Sequence, residues 1–101
     1  MTDKVEFEVV NNPANKRFET KVNGRLAVTE YIQLPDRIIF THTEVPKELE
    51  GNGIGSRLAF VALEYAKEKE LKVVPLCPYI AQYIKRHPEY HAMVMDGYRV
   101  V

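Results

Sequence analysis

The sequence is poor in the features that would specialise it. Its 101 residues include one cysteine and no tryptophan. A single cysteine excludes an internal disulfide and fits a reducing compartment. Fourteen basic and fourteen acidic side chains cancel to a formal net charge of zero. Residues 1–50 carry 7 basic and 9 acidic groups, and residues 51–101 carry 7 and 5. That tilt is too weak for a polyanionic partner, since nucleic-acid binders show a strong basic excess. No apolar run approaches the roughly 20 residues of a membrane span, and no signal-peptide pattern opens the chain. The expectation is a cytoplasmic protein with neither a nucleic-acid nor a membrane partner. Its length suits one domain over residues 1–101 with a single modest core. Edge strands leave the oligomeric state open.

Hydrophobic content of 46% and charged content of 28% are ordinary for a globular protein. The first half reads as strands. Val5-Glu6-Phe7-Glu8-Val9 alternates apolar and acidic residues, and Asn11-Asn12-Pro13 ends it. Arg17 to Val22 and Arg25 to Leu34 are two more strands, joined by Asn23-Gly24. That dipeptide is a strong hairpin signal, because both turn residues must accept positive φ. A two-residue turn places Val22 opposite Arg25, Thr20 opposite Ala27 and Phe18 opposite Thr29. Pro35-Asp36 marks the next turn, and a fourth strand runs to Val45.

The second half changes period. Ile54, Leu58, Val61, Ala62 and Tyr65 form a helical stripe, widened by Ala59, Leu63 and Ala66. Arg57, Glu64, Lys67 and Glu68 form the wet side, and Phe60 falls among them without explanation. This predicts a helix from Gly53 to Lys69. Lys72 to Leu76 reads as a short buried strand. Cys77-Pro78 opens a second helix, because proline suits the first helical position. Its apolar side is Ile80, Tyr83 and Ile84, and His87-Pro88 ends it. Glu89 to Val94 reads as one more turn. The order β-β-β-β-α-β-α is an α+β fold: a four-stranded antiparallel meander, then helix, parallel strand and helix in a mixed sheet.

Glycine is scarce, and its placement is therefore informative. Three of the five glycines alternate in Glu50-Gly51-Asn52-Gly53-Ile54-Gly55-Ser56, between strand four and the first helix. Glycines at such a junction let backbone N–H groups close on an anion at a helix N-terminus. A nucleotide-hydrolase loop needs Lys followed by Ser or Thr after its last glycine, and here Ser56-Arg57 follow. A dinucleotide loop needs G-x-G-x-x-G early in a βαβ unit, which four antiparallel strands exclude. The plain alternative is a glycine-rich turn that only lets strand four reach its helix.

Thr41-His42-Thr43-Glu44-Val45-Pro46 with Gly51-Asn52-Gly53-Ile54-Gly55, then Leu76-Cys77-Pro78-Tyr79 with His87-Pro88, resembles the GNAT superfamily of acetyl-CoA-dependent N-acetyltransferases. The likeness is closest to its short stand-alone branch and covers about residues 5 to 92. The resemblance implies a compact GNAT fold and acetyl-CoA (coenzyme A) as cofactor. It further implies an amine acceptor, small molecule or protein, whose identity the sequence does not give. By position, the amides of Gly51, Asn52, Gly53, Ile54, Gly55 and Ser56 would meet the pyrophosphate. The backbone of Thr43 and Val45 would pair with the pantetheine arm. One departure stands out: the family's Arg/Gln position is Glu50, which cannot donate to a phosphate and repels it.

Acetyl transfer needs a rigidly held thioester, a base for the amine and a proton for the leaving thiolate. Three residues are the catalytic candidates. Cys77 stands at a helix N-cap, where the dipole favours a thiolate that could accept the acetyl group. It could equally be a small buried residue at a corner. His42 is a candidate base. Glu44 could take a proton through water. Period-two spacing puts His42 and Glu44 on one strand face with Phe40 and Ile38. Tyr79 and Tyr83, four apart on the second helix, are candidate proton donors or pocket wall. Lys85-Arg86 read as a solvated helix end or as contacts for a cofactor phosphate. No metal site is expected, since His87 and His91 have Pro88 between them and no paired Cys or His motif is present. The rival to an enzyme is a coenzyme A-binding module with little or no catalysis.

Overall fold

The computed structural model describes residues 7–98. Its order is β1 (Val10–Asn12), β2 (Arg17–Val22), β3 (Arg25–Gln33), β4 (Arg37–Glu44), α1 (Ile54–Glu68), β5 (Lys72–Pro75) and α2 (Pro78–Arg86). Short 3-10 turns cover Pro13–Asn15, Lys47–Leu49 and Pro88–Met93. One mixed sheet holds the strands in the order β1-β2-β3-β4-β5. The first four are antiparallel, and β5 joins β4 in parallel after the α1 crossover. This is the α+β arrangement expected of the compact GNAT fold.

The β2–β3 hairpin has the expected register: Val22 faces Arg25, Thr20 faces Ala27 and Phe18 faces Thr29. Its turn residues Asn23 and Gly24 both take positive φ, 52° and 76°. The first strand departs from expectation. Residues 1–6 lie outside the described residues, so most of the alternating run Val5–Val9 cannot be placed. The part that can, Phe7 to Val9, belongs to no strand among the described residues, and β1 begins only at Val10. Phe7 and Val9 instead pack against the core. Over Phe7 to Val9 the alternation reported burial rather than a strand.

Both helices contribute to a single core with the sheet. Phe18, Ala27, Tyr31, Ile38, Phe40 and Val73 meet Leu58, Ala59, Ala62, Leu63 and Ala66 of α1 and Ile80 and Ile84 of α2. The α1 stripe is centred differently from the expected one. Ala59, Ala62, Leu63 and Ala66 are fully buried, while Val61 and Tyr65 are only partly covered. Small alanines let the helix lie close to the sheet, and Tyr65 meets the Phe18 ring edge-on at 5.4 Å. Phe60 acquires an account as well, since the Arg57 guanidinium sits 5.0 Å from its ring centre.

Two local devices shape the end of the sheet near the glycine loop. The first is a bulge. Tyr31 pairs with Phe40 but Glu30 pairs with His42, so Thr41 is an extra residue on β4. One extra residue reverses the faces beyond it. His42 and Glu44 therefore do not share a face with Phe40 and Ile38, as simple alternation predicted. Thr43 takes the core side, and His42 and Glu44 are exposed on the other. The second device is the end of β5. Leu76 N–H turns back to the Val74 carbonyl at 3.1 Å, and Cys77 N–H makes a last bond to the Phe40 carbonyl at 2.8 Å. Pro78 then starts α2. Among the described residues, β4 runs on to Glu44 without a partner on that side.

Candidate active site

The divergence of β4 and β5 opens a cleft of about 570 Å³. Its walls are Thr43, Glu44 and Val45, the segment around the glycine loop, and Tyr79 of α2. Because the Phe40 carbonyl faces β5, strand alternation reset by the extra Thr41 turns the backbone of Thr43 and Val45 to the same side. β5 has left that side, so a strand-like edge faces the cleft.

The other end of the cleft is the start of α1. Leu49, only 3% exposed, pins the loop to the core, and Asn52 Nδ2 donates to the Leu49 carbonyl at 2.9 Å. Gly51 and Gly53 then take φ of 88° and 74°, a region that side chains resist. Gly53 is the N-cap and offers no capping side chain, and the first turn holds no acidic residue. The leading N–H groups of α1 have no intrahelical partner. They form the positive end of a 15-residue helix dipole beside the cleft.

Gly55 is a glycine for a different reason. It lies within the helix, and an added Cβ there would sit 2.5 Å from the Tyr79 hydroxyl and 2.8 Å from Cζ. The phenol occupies the notch left by the missing methyl.

Of the cofactor residues expected from sequence, Thr43, Val45, Gly51, Gly53, Ile54, Gly55 and Ser56 all line the cleft. Asn52 does not, since its side chain is spent on bracing the loop. Glu50 lines it too, so the unfavourable carboxylate is at the rim. Leu49 was not foreseen, although an apolar residue ahead of a polar glycine loop is a signal for an anchor. Thr29 was also missed, because nothing in a strand threonine announces a partner fourteen residues away.

The catalytic candidates separate. Glu44 lines the cleft, and His42 Nε2 lies 3.2 Å from Glu44 Oε1 with both side chains well exposed. Cys77 is the N-cap of α2, as expected, but it is 2% exposed and belongs to the core. Its Sγ donates to Thr43 Oγ1 at 3.2 Å, and Thr43 Oγ1 lies 3.1 Å from Thr29 Oγ1. Thr43 thus joins the cleft to a buried thiol and hydroxyl. Tyr83 stacks on His87 at 3.9 Å, away from the cleft wall, and burial pushes its hydroxyl pKa up. His87 Nδ1 and His91 Nε2 meet backbone carbonyls of α2, at Tyr83 and Ile84. Among the described residues no group of three or more His, Cys, Asp or Glu could hold a metal ion. None of the described helices is long and apolar enough to cross a membrane.

The comparisons agree with this geometry. Residues 17–93 match the family described as GCN5-related N-acetyl-transferase. Protein NATD1 of Gallus gallus is 36% identical over 85 residues, covering 81% of this chain and 77% of that protein. Protein NATD1 of Homo sapiens is also 36% identical over 85 residues, covering 81% and 75%. The Xenopus tropicalis protein of the same name is 29% identical over 92 residues, covering 87% and 84%. With the matched segment running from β2 to the turn after α2, and with the meander, crossover helix and split strands in place, the chain belongs to the GCN5-related N-acetyltransferase family.

Proposed function

We propose that the cleft binds acetyl-CoA and that the chain transfers the acetyl group to an amine. The observation that carries this reading is the cleft itself. It has a strand-like edge at Thr43 and Val45 at one end and uncapped N–H groups of α1 at the other. A pantetheine amide arm suits the first and a pyrophosphate suits the second. The thioester then lies toward Thr43, near the His42–Glu44 pair. In the transfer the amine nitrogen forms the new C–N bond as the C–S bond breaks. The amine proton passes to the His42–Glu44 pair, and the thiolate is protonated from solvent. Cys77, buried and bonded to Thr43, holds the cleft wall in this scheme rather than carrying the acetyl group. The single reduced cysteine and the neutral charge fit a cytoplasmic protein acting on a small amine or a protein amine.

A second reading has its own support. Glu44 and Glu50 both face the cleft, and the one thiol is turned into the core. A coenzyme A-binding module with little catalysis would have the same features. The experiment is to incubate the chain with acetyl-CoA and a panel of amines and peptides while following thiol release and heat stability. Turnover that falls on His42→Ala and Glu44→Gln supports the enzyme. Tight binding without turnover supports the module. Acetyl-CoA at about 100 times its Kd stabilises by about 2.7 kcal/mol, and no shift at all would sink both readings.

A further inference from the structure

We propose that the Tyr79 phenol is the side-chain donor for the pyrophosphate of the bound coenzyme, supplying the hydrogen bond that Glu50 cannot. The inference rests on the acetyl-CoA reading of the cleft and goes beyond it by assigning a binding role that the glycine loop lacks.

Three observations converge on it. Tyr79 starts in the first turn of α2, yet its hydroxyl lies against the first turn of α1, in the notch at Gly55. It lines the cleft together with Gly53, Ile54, Gly55 and Ser56 at the start of α1, where the leading N–H groups of a helix have no intrahelical partner. Among the described residues this hydroxyl has no hydrogen-bond partner. The hydroxyls of Tyr31, Tyr65 and Tyr90 are engaged, with Asn11, Gln33 and Glu64, and Tyr83 and Tyr98, which also lack a partner among the described residues, do not line the cleft. At 41% exposure the Tyr79 ring is reachable by a ligand while still held in place.

The chemistry suits this cleft. A guanidinium here would be drawn to the carboxylates of Glu44 and Glu50 and partly neutralised by them. A phenol donates without carrying a charge, so neither carboxylate draws it as strongly as it would draw a cation. Its place at the α1 end also argues against a part in protonating the thiolate, because the thioester end lies toward Thr43. Gly55 and Tyr79 are then one device: the glycine is kept small so that the phenol reaches the helix start.

The test is calorimetric titration of the full chain with coenzyme A and, separately, with pantetheine, which has no pyrophosphate. Tyr79→Phe keeps the ring and removes only the hydroxyl. It should raise the Kd for coenzyme A by about 10- to 100-fold, the range for a hydrogen bond to a charged acceptor. The Kd for pantetheine should stay within about twofold. Gly55→Ala, which pushes the phenol out from the other side, should give the same selective loss. Unchanged coenzyme A binding by Tyr79→Phe, or an equal loss for both ligands, overturns the assignment and leaves the acetyl-CoA reading standing. Failure of the unmodified chain to bind coenzyme A overturns both.

Discussion

Replacing Gly55 with alanine separates two reasons for which a glycine can stand in the first turn of a helix. Gly55 does not need positive φ, so the backbone accepts alanine, and alanine should stabilise the helix by about 0.5–1 kcal/mol. The new methyl, however, would meet the Tyr79 hydroxyl at 2.5 Å and Cζ at 2.8 Å. Tyr79 is 41% exposed, so somewhat more than half of its surface is covered. For an aromatic side chain that is on the order of 120 Å², worth about 3 kcal/mol if all of it is lost. The ring end swings on two torsions, and keeping half of the contact limits the loss to about 1.5 kcal/mol. Net of the helix gain, Gly55→Ala should cost about 0.5–2.5 kcal/mol in the unmodified chain. In a Tyr79→Ala background the same change meets no ring and should stabilise by about 0.5–1 kcal/mol. Urea unfolding of the four proteins gives the coupling, provided the m-values agree. If Gly55→Ala shifts both backgrounds equally, the steric account of Gly55 is wrong.

Other outcomes follow from the same geometry. Glu50→Gln should tighten acetyl-CoA binding by about 3- to 10-fold in dilute buffer, with the gain shrinking toward 1 M salt as screening shortens to about 3 Å; equal affinities would place the carboxylate out of reach of the phosphates. Thr43→Val removes the acceptor for Cys77 Sγ and the partner of the buried Thr29 hydroxyl, and should cost about 1–3 kcal/mol in chemical unfolding. Thr43→Ser should recover most of that loss, and a silent Thr43→Val would refute the linkage. Glu19 is held below its ordinary pKa of 4.5, chiefly by the hydrogen bond from Arg17 Nε. Because the folded state favours its carboxylate, this contribution is complete above the unfolded pKa and is lost as pH falls through the lower folded value. The stability gap between the chain and Glu19→Gln should therefore close as pH falls from the ordinary value of 4.5 through the lower folded one, and a gap that stays constant would remove Glu19 from the acid limb.

Much of the fold was legible because local chemistry and global packing agree. Asn23-Gly24 could form only a tight turn, and that turn alone set the pairing of Phe18 with Thr29. Pro78 and His87-Pro88 bracket α2 as proline rules require. What stayed hidden depends on contacts distant in sequence. No glycine or proline marks the bulge at Thr41, whose register shift is seen only against β3. That one residue decides which side His42 and Glu44 face, so period-two reasoning assigned them the wrong neighbours. Gly55 was legible as part of a glycine-rich strand-to-helix junction, but its partner Tyr79 comes from another helix, and the notch between them belongs to the tertiary structure. Cys77 was correctly placed at a helix start. Whether its thiol would reach the cleft depended on Thr43, and Thr43 turns inward only because of the bulge.

Both helices that border the cleft begin without a side-chain cap. Gly53 has no side chain to offer α1, and Cys77 makes no capping bond at α2, its thiol being given to Thr43 instead. An ordinary Ser, Thr, Asp or Asn cap is worth about 1 kcal/mol. The chain forgoes it twice, at two helix starts brought together by the contact of Tyr79 with Gly55. The loop between β4 and α1 is nevertheless well braced, by buried Leu49 and by the bond from Asn52 to its carbonyl. A loop fixed this firmly but ending in open N–H groups suits the proposed ligand and is not slack. The carboxylates of Glu44 and Glu50 then limit which ligands fit. A free anion gains little beside two negative charges, whereas a ligand that also pairs with the strand edge at Thr43 and Val45 overcomes them. If the cleft takes acetyl-CoA as proposed, selectivity for the whole coenzyme over its phosphate fragments is the expected consequence. Inorganic pyrophosphate should accordingly compete poorly with acetyl-CoA, and effective competition at comparable concentration would show that the helix start binds anions on its own.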